Sequence, residues 1–395
     1  MRWLLLLGLV GTGCVSYEKK PLDAPAMLEE RAELAPGAVD FDAAMAFARA
    51  HNPELKRLRA QAEAAGFDVP PTHINITVNT LEQKAPGFVD PVALFKLGPR
   101  GARAQAAKER EAALLQELNE RDLQIAAGIA EAFATERFLL SLQLPPIDAD
   151  PKLFEKAGLA SRVDRTRVEY ARSKEDAERV AIESLRAENR ARLCELLGVR
   201  PSAALTMLLP EGAFPPVPDR GDLFARPDLA VALARYRVAD REFRAAVLDQ
   251  YPVVGIGPVF NWDIVRWGLF IPTRIPGGAD GPARAAGKRR EAARFAVEAA
   301  LLRAEREVAE RRAAFVRFEA EAHAAQLGAK TAAIDLHSAL VHLEVTPDAF
   351  DHLARAGPEA VERLSMSRHA GLAAVRARVR YAKAWAWPHT DGGVR

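Results

Sequence analysis

The chain has 395 residues, of which 49% are hydrophobic, 27% charged and 7% aromatic. This profile, rich in Ala, Arg, Glu and Leu, is typical of long packed helices and argues against a core built on large aromatic side chains. Fifty-five Lys and Arg stand against 53 Asp and Glu, so the net charge of +2 argues against a nucleic-acid partner.

The N-terminus, residues 1–13, has the pattern of a signal peptide. A positive start at Met1 and Arg2 is followed by an apolar stretch and by small residues before Cys14. The pattern resembles a bacterial lipoprotein signal, in which Cys14 becomes the acylated first residue; the alternative is an ordinary secretory signal with an incidental cysteine. Residues 14–38 are then predicted to form a lipid-anchored spacer. No run of about 18 apolar residues occurs, so no membrane-spanning helix is predicted.

A first structural unit is predicted over residues 39–200, and it opens with helices. A helical pattern reaches residue 67 and is interrupted at Asn52 and Pro53. Asn52 suits the N-cap of a new helix segment, because its side chain can accept from the first free N–H groups and Pro53 needs no N–H there.

Two strands are predicted next, at about residues 72–97. Residues 72–80 alternate apolar and polar side chains, which is the pattern of a half-buried strand. Residues 85–87 (Ala-Pro-Gly) are predicted to form a turn and residues 92–97 the return strand. A long helix is predicted from residue 98 to about residue 142.

The first unit ends with another helix. Ser161 is a suitable N-cap with Asp164 three residues later, and Gly198 is predicted to end the helix after Leu197. Residues 201–222, which contain several prolines, are predicted to form a connector.

A second unit, residues 223–387, repeats the landmarks of the first in the same order, which indicates a duplication; residues 388–395 form a tail. Its strand pair is predicted at about residues 251–272. The matched landmarks are residues 52–55 and 226–229, residues 98–99 and 281–282, and the turns near Gly158 and Thr346.

The long helix after Pro282 carries a heptad pattern, which predicts a seam packed against other helices. Reaching about residue 345, this helix would span on the order of 95 Å. Because a helix of this length needs a partner, a long antiparallel bundle is predicted. The seam residues are Val297, Leu301, Ala304, Val308, Phe315, Phe318, Ala322, Ala325, Ala329, Ala332, Leu336 and Ala339.

Four predicted strands per chain are too few for a closed barrel, which needs roughly eight. Either the sheet is small and covered, or several chains contribute strands to one barrel. The alternation over residues 72–80 fits lipid on one side and a polar lumen on the other, but a soluble sheet with one wet face would show the same alternation.

Several motifs together resemble the bacterial outer-membrane efflux protein family, the TolC-like channels. They are residues 52–55 (Asn-Pro-Glu-Leu), residues 226–229 (Arg-Pro-Asp-Leu), the Tyr251-Pro252 start of the second strand pair, and residues 157–161 (Ala-Gly-Leu-Ala-Ser). The duplicated order of helix, two strands, long helix, turn and helix is also similar, and the resemblance covers residues 39–387.

The resemblance implies a mainly α fold with a small β part. A homotrimer would form a twelve-stranded barrel in the outer membrane and a long α-helical barrel in the periplasm. Its partners would be a periplasmic membrane-fusion adaptor and an inner-membrane pump, together with outer-membrane lipid.

The same resemblance places the periplasmic tips or entrance at two turns. The tip residues would be Gly158, Leu159, Ser161, Asp164, Thr346, Asp348 and Asp351. The three aspartates would form acidic rings, although acidic residues at helix N-termini are also explained by the helix dipole. The second turn could instead lie at residues 355–358 (Arg-Ala-Gly-Pro).

No catalytic, cofactor-binding or metal-binding residues are predicted. The sequence has no phosphate-binding glycine loop and no nucleophile-elbow serine, and Asp335, His337 and His342 lack a completing metal ligand. Cys194 lies on a helical pattern and is predicted to be a buried apolar residue. The basic cluster at residues 288–290 is predicted to be a solvated helix face.

The resulting hypothesis is a non-enzymatic, lipid-anchored outer-membrane channel subunit of a tripartite efflux or type I secretion system. The alternative is a lipid-anchored periplasmic coiled-coil scaffold without a pore. No motif identifies the exported substrate.

Overall fold

A computed structural model describes most of the helical part of the chain and short parts of the strand regions. The described residues are 24–67, 75–76, 85–88, 99–142, 146–147, 152, 156, 161–209, 211, 214–216, 223–250, 255–261, 264–270, 280–343 and 349–387.

The described part of the chain is mostly helical. The α-helices are α1 (Ala24–Glu33), α2 (Phe41–His51), α3 (Pro53–Phe67), α4 (Pro99–Ser141), α5 (Arg162–Leu197), α6 (Pro227–Leu248), α7 (Asp280–His342) and α8 (Ala349–Ala384). A 3-10 turn (Leu223–Ala225) precedes α6. These bounds confirm the predicted helix break at Asn52 and Pro53 and the long helix after Pro282.

Local chemistry explains where α5 begins and ends. Ser161 is its N-cap, and the Ser161 hydroxyl accepts a hydrogen bond from the Asp164 backbone N–H at 3.1 Å. Gly198 ends the helix in the left-handed conformation with a φ of 75°. An added Cβ at Gly198 would lie 2.9 Å from the His51 carbonyl oxygen, so this turn also needs glycine for space.

The strands of the described residues form two sheets. β1 (Gly37–Val39) pairs in parallel with β4 (Leu205–Met207). The larger sheet has the order β2 (Asn75–Ile76), β3 (Ala85–Phe88), β5 (Gly255–Asn261) and β6 (Ile264–Phe270), and all its pairs are antiparallel.

The turn predicted at residues 85–87 is wrong, because these residues belong to β3. Gly87 pairs with Ile76 of β2, whereas Pro86 pairs with Val259 of β5. A proline is tolerated in a strand where its missing N–H is not required by the ladder. The return strand predicted at residues 92–97 lies outside the described residues.

Three further elements lie wholly or partly in regions where the sequence predicted none. The predicted spacer, residues 14–38, contains α1 and part of β1, and the predicted connector contains β4. The Arg31 guanidinium fixes α1 to the body by donating to the carbonyls of His51 and Gly198, both at 2.7 Å. These carbonyls lie at the ends of α2 and α5, where a cation is favourable.

The helices pack side by side in a layer that changes partners along its length. Near the strands, α4 packs against α3 and α6, and α6 packs against α7. Towards the other end, α8 packs against both α5 and α7. One apolar core lies among α2, α3, α4 and α5, and a second lies among α5, α7 and α8.

The predicted heptad seam of α7 is confirmed as a packing surface. All twelve seam residues are buried or half-buried, and Leu336 and Ala339 are fully buried against α8. The alternative turn at residues 355–358 is wrong, because α8 runs continuously from Ala349 through Pro358. A Cβ added at the neighbouring Gly357 would lie 3.2 Å from the Ala171 methyl group, so α5 packs closely against α8 beside the proline.

Candidate functional site

The longest helix, α7, has a second apolar seam on the face that the chain leaves uncovered. Its large apolar side chains are between 53% and 69% exposed. Most recur at seven-residue spacing, and exposed alanines lie at intermediate heptad positions. The large residues of this outer α7 seam are Phe295, Leu302, Val316, Leu327, Ile334 and Val341.

Helix α5 has a matching uncovered seam. Val163, Tyr170 and Val180 are 52% to 64% exposed, and the exposed Ala177 and Ala187 continue the same heptad spacing. Apolar side chains repeating at this spacing are the pattern of a helix that packs against a neighbouring helix. We call this surface the outer α5 seam.

The two outer seams lie on different edges of the chain. Among the described residues, α8 packs against both α5 and α7, and its contacts with α7 are the most extensive between any two helices. An exposed apolar stripe of this length is unusual on a protein that acts alone. The two seams therefore provide two distinct surfaces on which further helices can pack.

The junction at the start of α3 links it to the end of α5. The buried Asn52 accepts hydrogen bonds from the backbone N–H groups of Glu54 at 2.9 Å and Leu55 at 3.3 Å. Its side-chain amide donates to the Leu196 carbonyl at 2.8 Å. One side chain thus caps the beginning of one helix and the end of another.

The start of α6 has an equivalent junction built on a charge. The buried Arg226 donates to the Ala384 carbonyl at the end of α8 at 3.0 Å, to Asp228 at 3.0 and 2.8 Å, and to Glu307 of α7 at 2.8 Å. Burial alone would raise the pKa of Asp228, but the hydrogen bonds and charge of Arg226 outweigh it and lower that pKa. Nearby, burial lowers the pKa of the Lys383 ammonium despite the charges of Glu307 and other acids.

Three of the predicted tip residues are described, and each lies at the start of a helix. Ser161 is the N-cap of α5 and Asp164 lies in its first turn, where an Arg167 nitrogen lies 3.7 Å from the Asp164 carboxylate. Asp351 lies in the first turn of α8 and forms an ion pair with Arg355. Stabilisation of helix N-termini accounts for these positions. Cys14, Gly158, Leu159, Thr346 and Asp348 lie outside the described residues.

Metal and membrane chemistry can be assessed only for the described part of the chain. There, no group of three or more His, Cys, Asp or Glu side chains could hold a metal ion. No described helix has the length and apolarity needed to cross a membrane. Cys194 is buried, and burial raises the pKa of its thiol.

Comparison with solved structures identifies the fold. The chain is similar to the outer-membrane channel OprN, with a TM-score of 0.68, 16% sequence identity, and 87% of this chain and 89% of that chain covered. For the outer-membrane channel MtrE of Neisseria gonorrhoeae the TM-score is 0.65, with 17% identity and coverage of 87% and 88%. For the outer-membrane channel CmeC of Campylobacter jejuni it is 0.63, with 12% identity and coverage of 94% and 90%.

Sequence comparison alone gives no corresponding match: neither a protein-family model nor a curated protein matches the chain. The structural similarity nevertheless extends over nearly the whole length of each channel. The chain therefore has the fold of the outer-membrane efflux channels, as its sequence motifs predicted.

Proposed function

We propose that the chain is a subunit of a passive outer-membrane export channel built from three copies. The observation that carries this proposal is the pair of uncovered apolar seams on α5 and α7. A contact between two different surfaces of identical chains is head-to-tail, and such contacts close into a ring when the rotation allows it. The outer α5 seam of one copy would pack against the outer α7 seam of the next.

The strands support the same assembly. Among the described residues, each chain has four strands in its larger sheet, and these run from β2 on one side to β6 on the other. Three copies would supply twelve strands, which exceeds the roughly eight needed for a closed barrel. We propose that these strands form a shared barrel in the outer membrane and that the helices form a periplasmic duct, with each chain arising from a duplicated helix–strand–strand–helix–helix unit.

The remaining parts of the proposal concern the anchor and the partners. Cys14 would be acylated and tether the chain to the outer membrane. The turns that include Gly158 and Asp348 would form the periplasmic end, which would meet an adaptor and an inner-membrane pump of an efflux or type I secretion system. The chain itself would catalyse no reaction.

Assembly can be tested by native mass spectrometry of the full chain in detergent, combined with conductance in planar bilayers. We expect three times the mass of one chain and a conducting pore. Leu302→Asp and Val180→Asp place a charge in the two outer seams, so each should abolish the trimer. Because Leu302 is 69% and Val180 64% exposed within one chain, neither change should unfold the protomer.

The matched control is Met366→Asp, which alters an apolar residue of α8 that is 51% exposed and lies outside both seams. A wild-type monomer, or a trimer that survives both seam substitutions, would refute the proposed ring. A trimer without conductance would favour the periplasmic scaffold instead. Loss of fatty-acid labelling in Cys14→Ser tests the anchor separately.

A further inference from the structure

Positive charge is concentrated in the parts of the helices that adjoin the strands of the larger sheet. We call these parts the strand-proximal region. It comprises the last fifteen residues of α3 (53–67) and α6 (234–248) and the first fifteen of α4 (99–113) and α7 (280–294). Together they contain 16 Lys and Arg and 8 Asp and Glu. Subtracting these from the totals of 55 and 53 leaves 39 basic against 45 acidic residues in the rest of the chain. The near-neutral net charge therefore hides two regions of opposite sign.

Ion pairing within this strand-proximal region does not remove its excess of cations. Arg110 pairs with Glu242 and Arg241 lies 3.9 Å from Glu109, so both contacts join α4 to α6. Arg290 lies 3.4 Å from Asp240. These contacts engage three of the eight acidic residues, and the basic residues of the region outnumber its acidic residues two to one.

The start of α7 presents the densest part of this charge to solvent. Arg284, Lys288 and Arg289 are exposed on its first turns. At 1.5 Å per residue they lie about 6 to 13 Å along the helix from its first residue, Asp280. Lys288 contacts Glu291 at 2.7 Å, but its side chain remains 82% exposed.

An open groove lies beside these cations, between α6 and α7. It has a volume of about 590 Å³ and is lined by Tyr236 of α6 and by six residues of α7, of which four are basic and one, Glu291, is acidic. An added Cβ at Gly287 would lie 3.2 Å from the Phe243 ring, so glycine lets the two helices approach closely here. The Arg290 guanidinium lies 4.4 Å from the centre of the same ring. The groove thus combines an aromatic wall with a cationic rim.

We infer that this strand-proximal region binds the headgroups of anionic phospholipids at the periplasmic surface of the membrane. The inference rests on the proposed insertion of the strands, because that insertion would place the first turns of α7 at headgroup depth. Attraction to an anionic surface falls off within a Debye length, about 8 Å at physiological ionic strength. The cations of the first turns of α7 would therefore contribute, whereas those farther along the helix would not.

The test is flotation of the full chain with vesicles of phosphatidylcholine alone or with about 30% phosphatidylglycerol. We expect stronger binding to the anionic vesicles at 50 mM salt and loss of this preference at 500 mM. Each cation near an anionic surface is worth about fivefold in partitioning. The triple variant Arg284→Gln, Lys288→Gln, Arg289→Gln should therefore reduce the preference at least about tenfold.

Two controls separate charge from folding. The double variant Arg303→Gln, Arg312→Gln removes exposed cations of the same helix about 35 and 48 Å from its start, and it should keep the preference. The double variant Arg284→Lys, Arg289→Lys retains the charge and should also keep it. Circular dichroism checks that every variant is folded.

The possible results are distinguishable. Equal binding of wild type to both vesicles would overturn the lipid assignment while leaving membrane insertion intact. Failure to bind either vesicle would overturn both the insertion and the inference that rests on it. If the triple variant keeps the lipid preference but changes the anion-to-cation selectivity of the pore, these cations face the duct and the lipid assignment is wrong.

Discussion

Replacing Arg226 with Met tests whether the α6 junction holds the end of α8 in place. The methionine would fill part of the same space but remove every hydrogen bond of the guanidinium. The Ala384 carbonyl would lose its charged donor, and the carboxylates of Asp228 and Glu307 would lose their shared cation. The Arg226 side chain is 8% exposed, so the carbonyl would lose a buried hydrogen bond.

The expected loss is about 3 kcal/mol in the free energy of unfolding. A hydrogen bond from a charged donor is worth about 1.5 to 3 kcal/mol. The Asp228 and Glu307 side chains are 38% and 37% exposed, so solvent screening limits each ion pair to about 0.5 kcal/mol. Urea denaturation followed by circular dichroism measures the difference between the wild type and Arg226→Met. Arg226→Lys, which keeps the charge but not the planar fork, should lose about half as much.

The pH dependence gives a second measurement. The pKa of Asp228 is lowered in the folded chain, which means that the ionised carboxylate beside Arg226 stabilises the fold. This stabilisation is fully present above the unfolded pKa of about 3.9. That stabilisation is lost as the pH falls through the lower, folded value. The difference between wild type and Arg226→Met should therefore shrink below about pH 4. A loss under 1 kcal/mol, or a difference that grows on acidification, would refute this account of the junction.

Three further substitutions follow from close contacts. Gly371→Ala should destabilise the chain by about 1 to 3 kcal/mol, because its Cβ would overlap the Phe138 ring; denaturant titration measures this. Gly198→Ala should cost about 2 to 4 kcal/mol in the same titration, because it combines a positive φ with a Cβ 2.9 Å from the His51 oxygen. Arg31→Ala should release α1 from the body and speed proteolysis within residues 24–36 at least about fivefold, as read by mass spectrometry.

Each of these substitutions has a matched control. Gly281→Ala adds the same methyl group at a helical position where no neighbouring group lies within 4 Å of the new Cβ, so it should cost little. Gly37→Ala imposes a similar positive φ of 69° without a clash, so it isolates backbone strain from crowding at Gly198. Arg57→Ala removes an exposed arginine that donates a hydrogen bond to Gln61 of its own helix. If a control changes the measured quantity as much as its partner does, the contact is not the cause.

Local sequence signals predicted the parts of the fold that depend on neighbouring residues. Asn52 and Pro53 mark a helix boundary because cap and proline act within one turn. Ser161 and Gly198 bound α5 for the same reason. The predicted heptad seam of α7, which packs against the chain's own helices, was also predictable, since its apolar spacing is a property of one helix.

Contacts between distant residues explain what the sequence did not predict. Pro86-Gly87 favours a turn locally, whereas the pairing of β3 with β5 joins residues more than 170 positions apart. β1 and β4 are three residues each and have no alternation long enough to detect. Arg226 was recognised as a repeated landmark, but its contact with Ala384 spans 158 positions.

The outer α7 seam was missed for a different reason. Its seven-residue spacing is present in the sequence, but it runs along the same helix as the predicted heptad seam, which is equally regular and rich in Ala. Spacing alone does not show which stripe a chain covers with its own helices. Only the position of α7 at the edge of the helix layer reveals that the second stripe is uncovered.

If Cys14 is acylated as proposed, the hydrogen bonds of Arg31 limit the length of chain between that lipid and the other helices. Ala24, the first residue of α1, lies ten positions after Cys14, and an extended chain over ten positions reaches at most about 35 Å. Helix α3 starts beside the clamped carbonyl of His51, and its fifteen residues extend about 22 Å towards the strands. If the strands also insert as proposed, this reach would let the lipid on Cys14 lie in the same membrane as the strands, and the tether would hold the helices near that membrane before a barrel formed.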